Sequence, residues 1–316
     1  MRITAGAASA EQAAAYIAAG ADEIFCGYVP DSWTEDYGLT MPLNRREVRY
    51  CPVQTGGENE LRLLTKVCAD RGVPVSLTFN APCYLPRQLE EASDIIDHCR
   101  GLGIHQFIVA DPALAVTLHR RGLTDKISLH ISGEAGEINR YTLQLWQGLG
   151  AKRIILHRKV GMYNMASLIS AAPDSMEYEA FAMNEMCHFN GAFCAGLHCD
   201  ELAHLCHLPW KAVPVREGSA IPPVPKAPEH PQVPGHSGCG LCALWDMVQM
   251  GITHLKAVGR GAPAEDMAED IFALKTALQV LEASPCKADY LREMKRRIFP
   301  DGCSGCCYYP VTDCTR

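Results

Sequence analysis

No stretch of this chain is apolar for long enough to cross a bilayer. The N-terminal run MRITAGAASAEQAAAYIAAGADEIF has no basic segment ahead of an uninterrupted apolar core, and Glu11 breaks it, so neither a signal peptide nor a membrane span is expected. There is no excess of positive charge. The net charge is −7 over 316 residues, 21% of them charged, which excludes a broad electrostatic footprint for nucleic acid and leaves room only for a local basic patch. Neither a G-x-S-x-G elbow nor an H-E-x-x-H pair occurs, so two recognisable hydrolase signatures are missing. The first βα turn, AGAASAEQ, also lacks the glycine spacing of a dinucleotide fingerprint.

What the chain has in quantity is cysteine, sixteen in all. A chain expected in the cytoplasm keeps thiols reduced, so this number points to metal ligation or catalysis and not to a disulfide framework. Cys68, Cys83 and Cys99 sit in apolar or helical contexts and are read as small hydrophobes. The run from Glu179 to Cys206 is different. It carries Cys187, Cys194, Cys199 and Cys206, and the pair Cys239 and Cys242 follows a proline-rich connection. Thiolates gathered from several turns suit a metal or an iron–sulfur cluster, whose irons take soft sulfur ligands in tetrahedral directions. His188, His198, His204 and His207 intersperse the run, as polar neighbours, metal ligands or proton shuttles.

Periodicity organises the rest. Short β-branched runs alternate with amphipathic helical segments restarted by glycine, the pattern of repeated βα units. Strands are expected over 2–5, 22–27, 73–79, 106–109, 127–131, 153–157, 177–183 and 253–258. Helices are expected over 10–19, 61–71, 88–101, 113–121, 139–148, 165–172, 241–251, 264–283 and 287–298. Residues 26–57 read as a long irregular connection, which in compact domains is usually functional or mobile. The expected fold is α/β: a (β/α)8 TIM-like barrel over 1–283, with a Pro-rich connection (209–236) inside it. Residues 284–316 supply a C-terminal helix and a Cys-rich tail. An open doubly wound sheet is the competing arrangement, disfavoured by the missing fingerprint.

Parallel α/β folds gather function at the carboxyl ends of their strands. Those ends carry Cys26, Asn80, Asp111, His130, Arg158 and Glu179. His130 and Arg158 are candidates for an anionic group, because arginine offers a bidentate fork. Lys256 and Arg260 could act likewise or seal the barrel end in a salt bridge. The tail holds Cys303, Cys306, Cys307 and Cys314, a possible second metal or cluster site.

Glu179, Phe181, Cys187 and Cys194 resemble the signature of the peptidase U-32 family, the collagenase-like proteases, in which E-x-F precedes two cysteines at these spacings. GITHLKAVGRG (251–261) is similar to the family's closing motif, and Cys239 lies seventeen residues before Lys256. GADEIFCG, VPVSLTFN, GIHQFIVAD, ISLHIS and GAKRIILHRKV track its successive strands. Where the family carries glycine near the two cysteines this chain has Asn184 and Ala192, and Lys159 and Val258 replace acidic residues, as in a divergent branch. The resemblance implies a barrel with a 4Fe-4S cluster on Cys187, Cys194, Cys206 and Cys239, with Cys242 as an alternate. The family includes oxygen-independent hydroxylases of ubiquinone precursors and of RNA bases. It therefore implies a small-molecule or RNA-base substrate and an enzyme of hydroxylase or oxidoreductase type; the strand-end residues His130, Arg158, Glu179, Lys256 and Arg260 are the candidates for the substrate site. Two alternatives stand beside that reading. One is a peptidase, and the other is a non-catalytic, cluster-bearing partner subunit.

Overall fold

The structure, a computed structural model, describes residues 1–38, 41–45, 53–136, 138–171, 175–187, 194 and 233–309. Its centre is a closed, all-parallel barrel in the order β1 to β8. The strands are β1 (Arg2–Gly6), β2 (Glu23–Gly27), β3 (Val75–Phe79), β4 (Gln106–Val109), β5 (Ser128–Ile131), β6 (Ala151–Ile155), β7 (Glu177–Met183) and β8 (His254–Ala257). β8 pairs with both β7 and β1, setting Lys256 opposite Phe181 on one side and Thr4 on the other. β2 and β3 are buried along their whole length, as parallel strands covered on both faces must be.

The helices form the outer layer: α1 (Ala10–Ala19), α2 (Asp31–Tyr37), α3 (Glu58–Ala69), α4 (Pro86–Gly101), α5 (Pro112–Arg120), α6 (Arg140–Gly148), α7 (Met162–Ser170), α8 (Leu244–Met250), α9 (Ala264–Ala283) and α10 (Lys287–Ile298). Local chemistry sets their ends. Ser9 Oγ accepts from Gln12 N at 3.1 Å to start α1, and Gly20, at φ 117°, stops it in the left-handed region. Asp111 caps α5 by accepting from Ala113 N at 2.8 Å. α10 packs on α9, so residues beyond 283 lie against the barrel's outer layer. Among the described residues no helix is long and apolar enough to cross a membrane.

Several expectations change; α3 and α7 each begin three residues earlier than expected. The irregular stretch 26–57 contains α2, because Trp33 (2% exposed) packs against Tyr37 and Tyr84 and its indole donates to Met41 O at 3.1 Å. β6 starts at Ala151 and not at Arg153, since Gly150 (φ 91°) turns the chain straight from α6 into the ladder beside Leu129. Cys68 and Cys99 are buried as expected for small hydrophobes, but Cys83 is exposed in the β3–α4 turn. Most of the Pro-rich connection, from 209 to 232, lies outside the described residues.

Candidate functional site

The barrel interior below its C-terminal mouth is charged. Arg153 (2% exposed) forks onto Glu23 with Nη1–Oε1 at 2.8 Å and Nη2–Oε2 at 3.0 Å, and reaches Glu179 Oε2 at 3.1 Å. Its Nε donates to Glu177 at 2.9 Å. Such burial is costly unless every charge is paired. His254 accepts from Arg153 Nη2 through Nε2 at 2.9 Å. That role requires a neutral ring, and burial, reinforced by Arg153, pushes its pKa down to about 4. Lys256 Nζ donates to Glu179 Oε1 at 2.7 Å. Burial works against the Glu179 carboxylate, yet Lys256 and Arg153 together outweigh it and hold its pKa below the usual range.

Lys256 forms the floor of a cleft of about 110 Å³ at the carboxyl ends of the strands. Its ammonium lies 3.8 Å from the Phe25 ring centre. Arg158, in the turn three residues beyond β6, stacks on Phe181 at 4.0 Å and faces Glu185 at 4.0 Å. Arg260 Nη1 donates to Val53 O and Gln54 Oε1, each at 3.3 Å. Arg45 closes the far side, 3.3 Å from Glu134, and its Nη2 donates to Cys194 O at 3.2 Å. Cations stacked on aromatic faces around a small, walled space form a receptor for a planar or anionic group.

Cys187 and Cys194 line this same cleft, both half-buried. Cys187 follows a tight turn in which Asn184 (φ 64°) and Glu185 (φ 51°) are left-handed. That turn is zipped to the segment before Cys239: Asn184 N donates to Gly238 O at 2.7 Å, Met186 N to Ser237 O at 2.8 Å, and Gly240 N to Ala182 O at 2.8 Å. The tail closes over Cys239 from the other side. Cys239 N donates to Cys306 O (2.8 Å), Tyr308 N to Cys239 O (2.9 Å) and Tyr309 Oη to Phe181 O (3.0 Å). Cys242 and Cys303 pack half-buried at the core's edge.

Of the residues singled out in the sequence, Arg158, Lys256, Arg260, Cys187 and Cys194 therefore share one cleft. Glu179 sits beneath it as the partner of Lys256. His130 lies inside the barrel with no exposure, Nε2 3.1 Å from Ser128 Oγ; burial, with Arg153 adding to it, drives its pKa well below the ordinary value. Cys199, Cys206, Cys314 and the four histidines of the cysteine run lie outside the described residues. Among the described residues, no group of three or more His, Cys, Asp or Glu converges as a metal site. Arg45 and Phe25 line the cleft without having been singled out. The signal for Arg45 was its place in the long connection after β2; Phe25 reads as an ordinary strand residue.

Comparison with known proteins adds the family. Residues 8–310 match the profile of peptidase family U32. The tRNA hydroxylation protein P of Escherichia coli (strain K12) is 28% identical over 86 residues, covering 27% of this chain and 18% of that protein. Among solved structures, the U32 peptidase Mk0906 is 14% identical, covering 58% of this chain and 69% of its own at a TM-score of 0.44. Dihydrodipicolinate synthase from Bacillus clausii is 10% identical over 95% of this chain and 78% of its own, at 0.46. The profile match runs from the first βα unit to the tail that pairs with Cys239, and the chain belongs to peptidase family U32.

Proposed function

We propose that this chain is an iron–sulfur protein that carries out, or assists, an oxygen-independent hydroxylation or related redox modification of an aromatic or nucleobase substrate. The observation that carries the reading is the shared cleft: Cys187 and Cys194 line it together with Arg158, Lys256 and Arg260. The donor chemistry suits a 4Fe-4S cluster in that Cys187 and Cys194 bring two soft thiols to the cleft, while Cys239 lies outside its lining on a segment hydrogen-bonded to that of Cys187. Cys187, Cys194, Cys206 and Cys239 would hold it. When bound, such a cluster supplies one-electron transfer beside the substrate. The name of the Escherichia coli relative, a tRNA hydroxylation protein, points to the same class of chemistry.

The remaining roles belong to side chains. Arg158 offers its fork to an anionic substituent while Phe181 holds its plane in place. Phe25 supports the Lys256 ammonium on its ring face, so that Lys256 places a cation at the floor, kept in position by Glu179. Glu185 sets the polarity of the rim opposite Arg158.

The test is anaerobic purification followed by absorption spectroscopy in the thiolate-to-iron charge-transfer region, with parallel incubation of the protein with casein and denatured collagen. The proposal predicts the charge-transfer band and no cleavage. Cleavage that survives Cys187→Ser, with no iron band, would establish the peptidase alternative instead.

A further inference from the structure

α9 is an apolar helix on its inner face, where Met267, Ile271, Ala273 and Leu274 are buried. Asp270 interrupts that face at 4% exposure. A buried carboxylate is costly unless its oxygens are taken up, and here each oxygen is given to a different segment. Oδ2 accepts from Asn184 Nδ2, and Oδ1 accepts from Gly235 N at 2.7 Å. Asn184 lies in the turn that leads to Cys187, and Gly235 in the turn that leads to Cys239.

The two turns need such a tie. Asn184 has the left-handed backbone (φ 64°) that glycine adopts most readily, and asparagine is among the few other residues that tolerate it. Gly235 is left-handed too, at φ 66°, and a Cβ there would meet Gly238 O and Met183 Sδ at 3.0 Å. Ser237 completes the lock. Its Oγ accepts from Glu185 N at 3.0 Å and lies 3.4 Å from Asn184 Oδ1. A glycine at 184 would keep the turn, but only asparagine adds a side-chain amide that Asp270 can hold.

We propose that Asp270, acting through Asn184 and Gly235, is a positioning residue that clamps the Cys187 and Cys239 segments in one arrangement. Its geometry stands alone; its consequence for a cluster rests on the iron–sulfur reading. Residues that orient ligand-bearing segments govern metal retention without touching the metal.

The test uses the full-length protein in two forms, with Asp270→Asn and Asn184→Gly made singly and together. Asn184→Gly is the informative control, since it keeps the left-handed turn and removes the side-chain amide that Asp270 and Ser237 hold, leaving the Asp270–Gly235 bond in place. In metal-free protein, hydrogen exchange at 184–187 and 235–239 should rise roughly 10-fold in each variant, about what loss of one hydrogen bond to a charged group allows. Exchange in β3 to β5 should stay as in wild type. In anaerobically loaded protein, iron loss to a chelator should quicken by about 10-fold, the lower end for lost outer-shell partners. The double variant should fall short of the sum of the two single effects, because both substitutions remove the shared Asn184–Asp270 contact and only Asp270→Asn also weakens the one to Gly235. Unchanged exchange in the two segments, or additive effects in the double variant, overturns the clamp. If wild type takes up no iron while the variants still loosen both segments, the clamp stands and the iron–sulfur reading falls.

Discussion

Lys256 and Glu179 form a buried ion pair, Nζ to Oε1 at 2.7 Å, directly under the cleft. Glu179 has no exposure and the Lys256 side chain 8%, so solvent cannot replace either partner. Glu179→Gln leaves the Lys256 ammonium without its hydrogen-bonded carboxylate, which costs about 3–5 kcal/mol, whereas after Lys256→Met Glu179 keeps Arg153 at 3.1 Å and the cost is smaller. Lys256→Met and Glu179→Gln should each lower the urea midpoint accordingly. The double variant should recover part of the loss, because no lone charge remains at this pair. Single variants within about 0.5 kcal/mol of wild type, the range of ordinary surface substitutions, would contradict the pairing.

Acid stability follows from the same layer. His254 is neutral in the fold, with its pKa moved from 6.5 down to about 4, and fully buried His130 moves the same way. The unfolded chain therefore binds protons between these values that the native state does not. Stability is fully present above about pH 6.5 and falls as pH drops towards about 4. Urea unfolding between about pH 7 and pH 5 should show this slope, and His254→Gln should flatten it while still accepting from Arg153. A wild-type profile that is flat across that window would rule out the neutral, buried imidazoles.

The tail is part of the barrel mouth. Tyr308 and Tyr309 are 6% and 4% exposed, and the backbone of 306–308 brackets Cys239. Truncation after Pro300 should cost at least about 2 kcal/mol, the scale for exposing one large buried side chain. It should also loosen Arg158, which Tyr308 faces. Substituting Cys303, Cys306 and Cys307 by serine tests the tail thiols separately. Iron content should stay as in wild type if the cluster uses Cys187, Cys194, Cys206 and Cys239. A fall in iron would assign the tail its own ligands.

Much of the scaffold was legible because parallel βα units write their boundaries locally. Ser9 and Gly20 bracket α1, and β4, β7, α9 and α10 have the bounds their patterns predict. α2 was hidden because Trp33 is anchored by Tyr84 and Met41 from outside the helix, which no local pattern records. The charged layer was hidden for a different reason. Glu23 and Arg153 meet across the barrel from positions 130 residues apart in the chain, and a strand buried on both faces has no alternation to mark inward charges. The site was half legible. Cysteine spacing pointed to Cys187 and Cys194, whereas the clamp at Asp270 lay inside a helix that reads as amphipathic.

The central claim is tested most directly by counting iron and acid-labile sulfide per chain after anaerobic purification of wild type, Cys187→Ser, Cys194→Ser and the exposed-cysteine control Cys83→Ser. The account predicts about four of each in wild type and in the control, as a single 4Fe-4S cluster requires, with loss in both ligand variants. Iron-free wild type, or iron retained undiminished in Cys187→Ser and Cys194→Ser, would contradict it.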